Sequence, residues 1–195
     1  MILKNDKIAS LLTPEIRPER TALTRRSLSS PAFWLRRNYL GGDKRVLDYG
    51  CGKGGDVKFL TPFCKVEGYD PLQPEWSKRP EGQFDIVLLT YVLNVIPTHQ
   101  ERQEVLRDAS SFVKDKGSLF ISVRSGQDVN ASRKPTWKAY SDGWITTRKT
   151  FQKGYEDIYE LYRDIDPILK SWPVSPHYRG EQNKFFSLLL STPTP

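Results

Sequence analysis

The spacing of apolar and polar positions changes period several times along the chain. Arg45–Tyr49 and Lys65–Tyr69 read as short strands. Phe84 to Leu89 is an unbroken β-prone apolar run, as in a strand buried on both faces, and Ser118 to Val123 is another. Helical spacing lies between them. Ser27 to Leu40 is a predicted helix, capped at Ser29 or Ser30, with Pro31 in its first turn and Gly41-Gly42 as its stop. Phe33, Trp34, Tyr39 and Leu40 are its apolar surface. A second helix covers about Asp56 to Leu60. A third begins where Thr98 and Glu101 fit a capping box, and Val105, Leu106, Ala109, Phe112 and Val113 then recur on one face. Lys114 to Gly117 reads as a turn. Strand and helix alternate, which predicts an α/β domain with a parallel sheet and helices on both faces.

After Val123 the pattern changes. Ser125 to Pro135 is polar and loop-like. Trp137 to Tyr140 and Trp144 to Gln152 can pair as a hairpin across Ser141-Asp142-Gly143. Tyr155 to Ile165 has helical spacing, and Ile168 to Val174 and Phe185 to Leu190 read as the final strands. With no internal repeat, residues 1–195 are expected to form a single domain. Residues 1–45 make a basic N-terminal extension and helix, and 124–153 a basic, aromatic insertion.

The first strand runs into Asp48-x-Gly50-x-Gly52-x-Gly54, ahead of a helix. Glycines suit a backbone that turns sharply and lets a ligand approach closely. Asp70 ends the next strand, with Pro71 beside it, and a carboxylate there can accept from both hydroxyls of a ribose. Two cofactors fit. Gly50, Gly52 and Gly55 satisfy the dinucleotide fingerprint, while S-adenosylmethionine carries a ribose and a cationic amino acid but no pyrophosphate. Asp48 favours the second, because an acid there sits poorly beside a pyrophosphate.

The run VLDYGCGKGG, then GYDP, then FDIVLLTYVLNVI resembles the class I S-adenosylmethionine-dependent methyltransferases. That resemblance implies a Rossmann-like sheet of order 3-2-1-4-5-7-6 with strand 7 antiparallel. It implies Asp48, Gly50 and Gly52 at the methionine end, Asp70 and Pro71 at the ribose, and Thr90 and Tyr91 near the methyl group. A narrower resemblance rests on RTALTRRSLSSP (Arg20 to Pro31), VLDYGCGKGGD, YDP, YVLNVI (Tyr91 to Ile96) and DGWITTRKTFQKGY (Asp142 to Tyr155). These are similar to the methyltransferases associated with DNA phosphorothioation gene clusters. One departure concerns strand 3. Only thirteen residues separate Asp70 from Phe84, too few for the usual helix and strand, so this region is expected to be abbreviated, with Trp76 either stacking on adenine or packing.

The chemistry can be narrowed further. No Pro-Cys loop is present, and Tyr91-Val-Leu-Asn94 stands where an N/D-P-P-Y/F motif would serve exocyclic amines. Tyr91 and Asn94 are the candidates to orient an acceptor, and His99 is a conceivable base or a solvated residue. Two Cys and two His without metal-ligand spacing make a metal site unexpected. The uncharged apolar stretch Ile86 to Pro97 falls short of the roughly 20 residues that span a bilayer. With no leader pattern, a cytoplasmic setting without membrane contact is expected.

Charge sets the remaining expectation. The 195 residues carry 30 Lys and Arg against 23 Asp and Glu, a net +7. Residues 1–45 are net +6 and 124–153 net +5, while the other two parts are each net −2. The positive segments supply Arg20, Arg25, Arg26, Arg124, Arg133, Lys134, Lys138, Arg148 and Lys149, interleaved in the second with Trp137, Tyr140, Trp144 and Phe151. Such a pattern can hold nucleic acid by phosphate contacts and base stacking. The expectation is methyl transfer from S-adenosylmethionine to nucleic acid, DNA first, in a modification or defence setting. Two readings stand beside it: a methyltransferase for a small molecule or nucleotide, and a non-catalytic domain that binds cofactor or DNA.

Overall fold

The structure is a computed structural model that describes residues 15–179 and 184–193. The first fourteen residues of the basic extension and the tip of the last connection, 180–183, lie outside the described residues. Six strands form the main sheet: β1 (Arg45–Tyr49), β2 (Lys65–Tyr69), β3 (Phe84–Thr90), β4 (Val113–Arg124), β8 (Val174–Arg179) and β9 (Phe185–Ser191). Their order is β2-β1-β3-β4-β9-β8. The first four run parallel, and β9 is antiparallel to both β4 and β8. This is the class I methyltransferase order with strand 3 left out.

Alternation along each strand explains the two covered faces. Val87 and Leu89 of β3 join one apolar cluster, with Leu106 of α3 (His99–Ser111) and Leu161 and Ile165 of α5 (Ile158–Leu169). Ile86 and Leu88 join the other, with Leu35 of α1 (Ser30–Asn38) and Leu60 of α2 (Gly55–Leu60). Ser29 caps α1 by accepting from the Ala32 amide at 3.3 Å. Its own amide and hydroxyl donate to the two Asp56 oxygens at 2.7 and 2.6 Å, which ties α1 to the start of α2. Thr98 and Glu101 form the reciprocal capping box of α3. Thr98→Ala is expected to cost about 1 kcal/mol, read as a lower urea midpoint with unchanged slope.

Four expectations need correction. The polar stretch after Val123 is not all loop: α4 spans Gly126–Ser132, and the Ser125 hydroxyl caps it by accepting from the Asp128 amide. With Val129 as its buried apolar side chain, it shows no hydrophobic period. The Lys114 to Gly117 segment lies inside β4, where Lys116 takes a φ of +60° and the pairing with β3 shifts register. Ile168 and Leu169 finish α5 rather than start a strand, because Leu169 continues the buried face of Ile158, Leu161 and Ile165. The hairpin carries a third strand, so β5 (Lys138–Tyr140), β6 (Gly143–Ile145) and β7 (Phe151–Gln152) form a small antiparallel sheet.

The abbreviated region holds a short 3-10 turn, Pro74–Trp76, and leaves β2 at the sheet edge. The Trp76 ring packs on the backbone of Gly54 and Gly68, where a Cβ would stand 2.3 and 2.7 Å from it. It is absent from the wall of the cavity described next, which supports packing over adenine stacking.

Candidate active site

A cavity of about 700 Å³ opens at the carboxyl ends of β1, β2 and β3. Ligands bind at this end in open α/β sheets. The volume is in the range of pockets that enclose small molecules. Gly50, Cys51 and Gly52 line it after β1, Asp70 and Pro71 after β2, Thr90 at the end of β3, and Tyr91 and Asn94 after it. Asp48 lies one step deeper, 4% exposed and outside the lining.

The glycine turn has a local cause. Gly50 takes a φ of +74°, and a Cβ there would meet Val92 Cγ2 at 2.4 Å. The Gly50 amide donates to the Tyr69 carbonyl at 2.7 Å, and the Gly52 amide to Asp70 Oδ2 at 2.9 Å. Asp70 Oδ1 also accepts from the Leu72 amide at 3.0 Å. Asp70 thus fixes both the turn and its own loop, and each oxygen keeps lone-pair capacity for a further donor. The turn after β3 is strained as well. Tyr91 takes a φ of +60°, held by its amide donating to the Ser122 carbonyl at 2.8 Å. Positive φ in a bulky residue persists only where the surroundings enforce it.

The floor is acidic and short of donors. Burial first, then the neighbouring Asp56 and Asp70, push the Asp48 carboxyl up to about 8, against the opposing charge of Arg25. A cation arriving there would relieve that penalty. Burial, with help from Asp48 and Asp70, pushes the Cys51 thiol well up, so it is no nucleophile. Burial also raises the Tyr91 hydroxyl to about 12, so it stays protonated and can donate but cannot act as a base at neutral pH. Thr90 Oγ1 and Asn94 Oδ1 are buried without a hydrogen-bond partner. Asn94 is 1% exposed, and its backbone carbonyl accepts from the Lys153 amide at 2.8 Å.

The roof comes from two segments outside the sheet. The 3-10 turn Pro18–Thr21 and the chain to Arg25 form one side, and the turn between β6 and β7 the other. The Arg17 amide donates to the Lys149 carbonyl at 2.7 Å, and Lys149 Nζ pairs with Glu15 at 2.6 Å, so the two are clasped. Behind this wall, Arg102 of α3 pairs with Asp142 at 2.6 Å and Asp164 at 3.1 Å, and Lys153 pairs with Asp142 and Glu160. Hydrophobic period could not find this network. His99 belongs to it, with Nδ1 2.7 Å from Asp164, and does not line the cavity.

The basic residues do not form one groove. Arg124 is taken up by Asp128, Gln152 and Ser132, and Lys149 by Glu15. Arg133 stacks on Trp144 with 4.3 Å to the ring centroid. Arg26 and Lys138 are exposed and outside the cavity lining. Arg20, Arg25, Lys134 and Arg148 line the cavity itself, and none has an ion pair among the described residues. The β6–β7 turn, whose Thr146 and Thr150 hydroxyls bond at 2.7 Å, was missed as a cavity wall; its three threonines within five residues, Thr146, Thr147 and Thr150, were the available signal. Among the described residues no His, Cys, Asp and Glu group is arranged for a metal ion, and no helix is long and apolar enough to cross a membrane.

The sequence profile of the family described as "Methyltransferase domain" matches residues 20–153. The match is to that general family and gives no support to the narrower phosphorothioation-associated one. The thiol S-methyltransferase TMT1B of Homo sapiens is 26% identical, covering 73% of this chain and 72% of that one. An S-adenosylmethionine-dependent methyltransferase from Clostridium acetobutylicum superposes with a TM-score of 0.62 at 12% identity, over 97% of this chain and 99% of that one. The 1,6-didemethyltoxoflavin-N1-methyltransferase of Burkholderia thailandensis, with 1,6-didemethyltoxoflavin and S-adenosylhomocysteine bound, gives 0.57 at 17% identity over 85% and 77%. At such identities the structural likeness establishes the shared fold.

Proposed function

The chain belongs to the methyltransferase domain family and is an S-adenosylmethionine-dependent methyltransferase, and from that premise we propose that its acceptor is a small molecule, a thiol first. The observation that carries this is the cavity: about 700 Å³ and roofed by clasped segments, with Arg20, Arg25, Lys134 and Arg148 in its lining. The human relative, named for thiols, and the Burkholderia neighbour, with a small heterocycle bound, support the same acceptor class. The nucleic-acid expectation rested on nine basic residues, and at least three of these have partners within the protein.

The residues fit the cofactor. Gly50 and Gly52 give it room, and the raised Asp48 carboxyl marks a place that favours a cation over a pyrophosphate. In this reading Asp48 faces the cationic amino-acid end and Asp70 the ribose. Arg25, which also stands 5.9 Å from the centre of the Tyr91 ring, is suited to the methionine carboxylate. S-adenosylmethionine supplies there a methyl group on a positively charged sulfur. Thr90 and Asn94 offer unpartnered oxygens to donors, and Tyr91 holds the acceptor in line by its hydroxyl and ring. Cys51 and Tyr91 stay protonated and so take no proton from the acceptor, whose thiol proton goes to solvent before transfer. In turnover of a small thiol such as 2-mercaptoethanol, an added DNA duplex is expected to leave the rate unchanged at 50 mM salt. Competitive inhibition by the duplex would favour the nucleic-acid reading.

Asp48 gives a pH signature. The ligand-free protein holds its proton up to about pH 8, whereas the cationic cofactor favours the ionised form. Cofactor affinity should therefore rise with pH between 6 and 8, by up to about tenfold per unit, and level off above. Asp48→Asn should remove that slope in a binding titration. The same raised carboxyl makes the ligand-free protein less stable as pH climbs through this window, since the unfolded chain has already lost the proton.

A further inference from the structure

The wall opposite the glycine turn is formed by the end of α4, the segment up to β5 and the β6–β7 turn. It is polar rather than apolar, with Ser132, Thr146, Thr147 and Gln152 beside Trp137. Its charges sort into two sets. Arg124 and Asp128 neutralise each other at 2.6 Å, and Asp70, across the cavity, already accepts two amides. Lys134 and Arg148, joined by Arg20 from the roof, line the same space and meet no carboxylate in an ion pair among the described residues. Glu19 and Asp70 are the acidic residues of the lining left to oppose the unpaired Arg20, Arg25, Lys134 and Arg148. Lys134, Arg148 and Arg20 are exposed residues on the cavity's rim and wall, and cations grouped around one cavity set up a positive potential that draws in an anion. A neutral apolar acceptor would gain nothing from them, and desolvating them against it would cost affinity.

Taking the small-acceptor reading as its ground, we propose that the acceptor carries an anionic group, a carboxylate or a phosphate, besides its nucleophile, and that Lys134, Arg148 and Arg20 hold that group. The nucleophile then lies on the Tyr91 and Asn94 side of the cavity. The paired Arg124 shapes the wall through Asp128 and Gln152 and takes no direct part.

The test uses the full chain saturated with S-adenosylhomocysteine and reads binding by calorimetry, so it does not depend on turnover. Four probes are compared: 3-(methylthio)propionate, 2-(methylthio)ethyl phosphate, neutral 2-(methylthio)ethanol and cationic 2-(methylthio)ethylamine. At least one anionic probe is expected to bind tenfold or more tightly than the neutral one at 50 mM salt, and the advantage should shrink at 200 mM. Whichever anion leads identifies the group. The Arg20→Gln, Lys134→Gln, Arg148→Gln triple variant should bind anionic and neutral probes equally while still binding S-adenosylhomocysteine. Equal binding of all probes to the wild type, no binding of any, or an anionic advantage that survives in the variant would overturn the proposal. The small-acceptor reading is judged separately, by methyl transfer to the matching thiols, so an anion preference without any turnover would count against that reading alone.

Discussion

Arg102→Leu is expected to destabilise the protein by about 3–5 kcal/mol. Arg102 is 2% exposed and sits between Asp142 at the tip of the β5–β6 turn and Asp164 of α5. Its guanidinium also donates to the Ile96 carbonyl at 3.0 Å. Asp164 is itself buried, accepting from the Tyr155 hydroxyl at 2.6 Å. Leucine keeps much of the volume but strands that carboxylate without its cation, which costs more than the pair gains when intact. The damage should reach the site, since Asp142 anchors the small sheet that walls the cavity. Equilibrium urea unfolding reads the loss, and a change below about 1 kcal/mol would mean that the network adds little to stability.

Gly50→Ala should be nearly as harmful and should strike function first. At a φ of +74° an L side chain costs about 1–2 kcal/mol, and the new Cβ would lie 2.4 Å from Val92 Cγ2, which adds about 1–3 kcal/mol of overpacking. The turn cannot relax freely, because the Gly50 and Cys51 amides both point to the Tyr69 carbonyl. A stability loss of about 2–5 kcal/mol is expected, with cofactor affinity reduced more than tenfold at a temperature where the variant is still folded. Unimpaired binding of S-adenosylhomocysteine by a folded variant would place the cofactor away from this turn.

The parallel half of the fold was legible because β1 and β3 are buried along almost their whole length and α1 and α3 carry side-chain caps, at Ser29 and Thr98. Arg45–Tyr49 and Lys65–Tyr69 coincide with β1 and β2, and Thr98 begins α3 as its capping box requires. The thirteen-residue gap after Asp70 foretold the missing strand, since chain length bounds what can form. The failures share a physical reason. Helix α4 buries one large apolar side chain, so its capping Ser125 was the available clue, and the β-prone Ile168-Leu169 pair was claimed by the buried face of α5. At the site, Gly50, Gly52, Asp70, Thr90, Tyr91 and Asn94 line one cavity; spacing had pointed to the glycine turn and Asp70, and the resemblance to Thr90 and Tyr91. Charge was the weaker guide. Net charge does not tell a cation with a partner from one without, and the partners of Arg124, Lys149 and Lys153 lie 4, 134 and 7 residues away.

The central claim is that this chain moves a methyl group from S-adenosylmethionine to a small acceptor within the cavity. The most direct measurement supplies methyl-labelled cofactor in parallel to 2-mercaptoethanol and 3-mercaptopropionate, to single-stranded and duplex DNA, and to RNA, and follows the label by mass analysis. Label on a thiol, matched by equal S-adenosylhomocysteine release and absent from nucleosides, is the predicted result. Label on nucleosides with none on either thiol would contradict it.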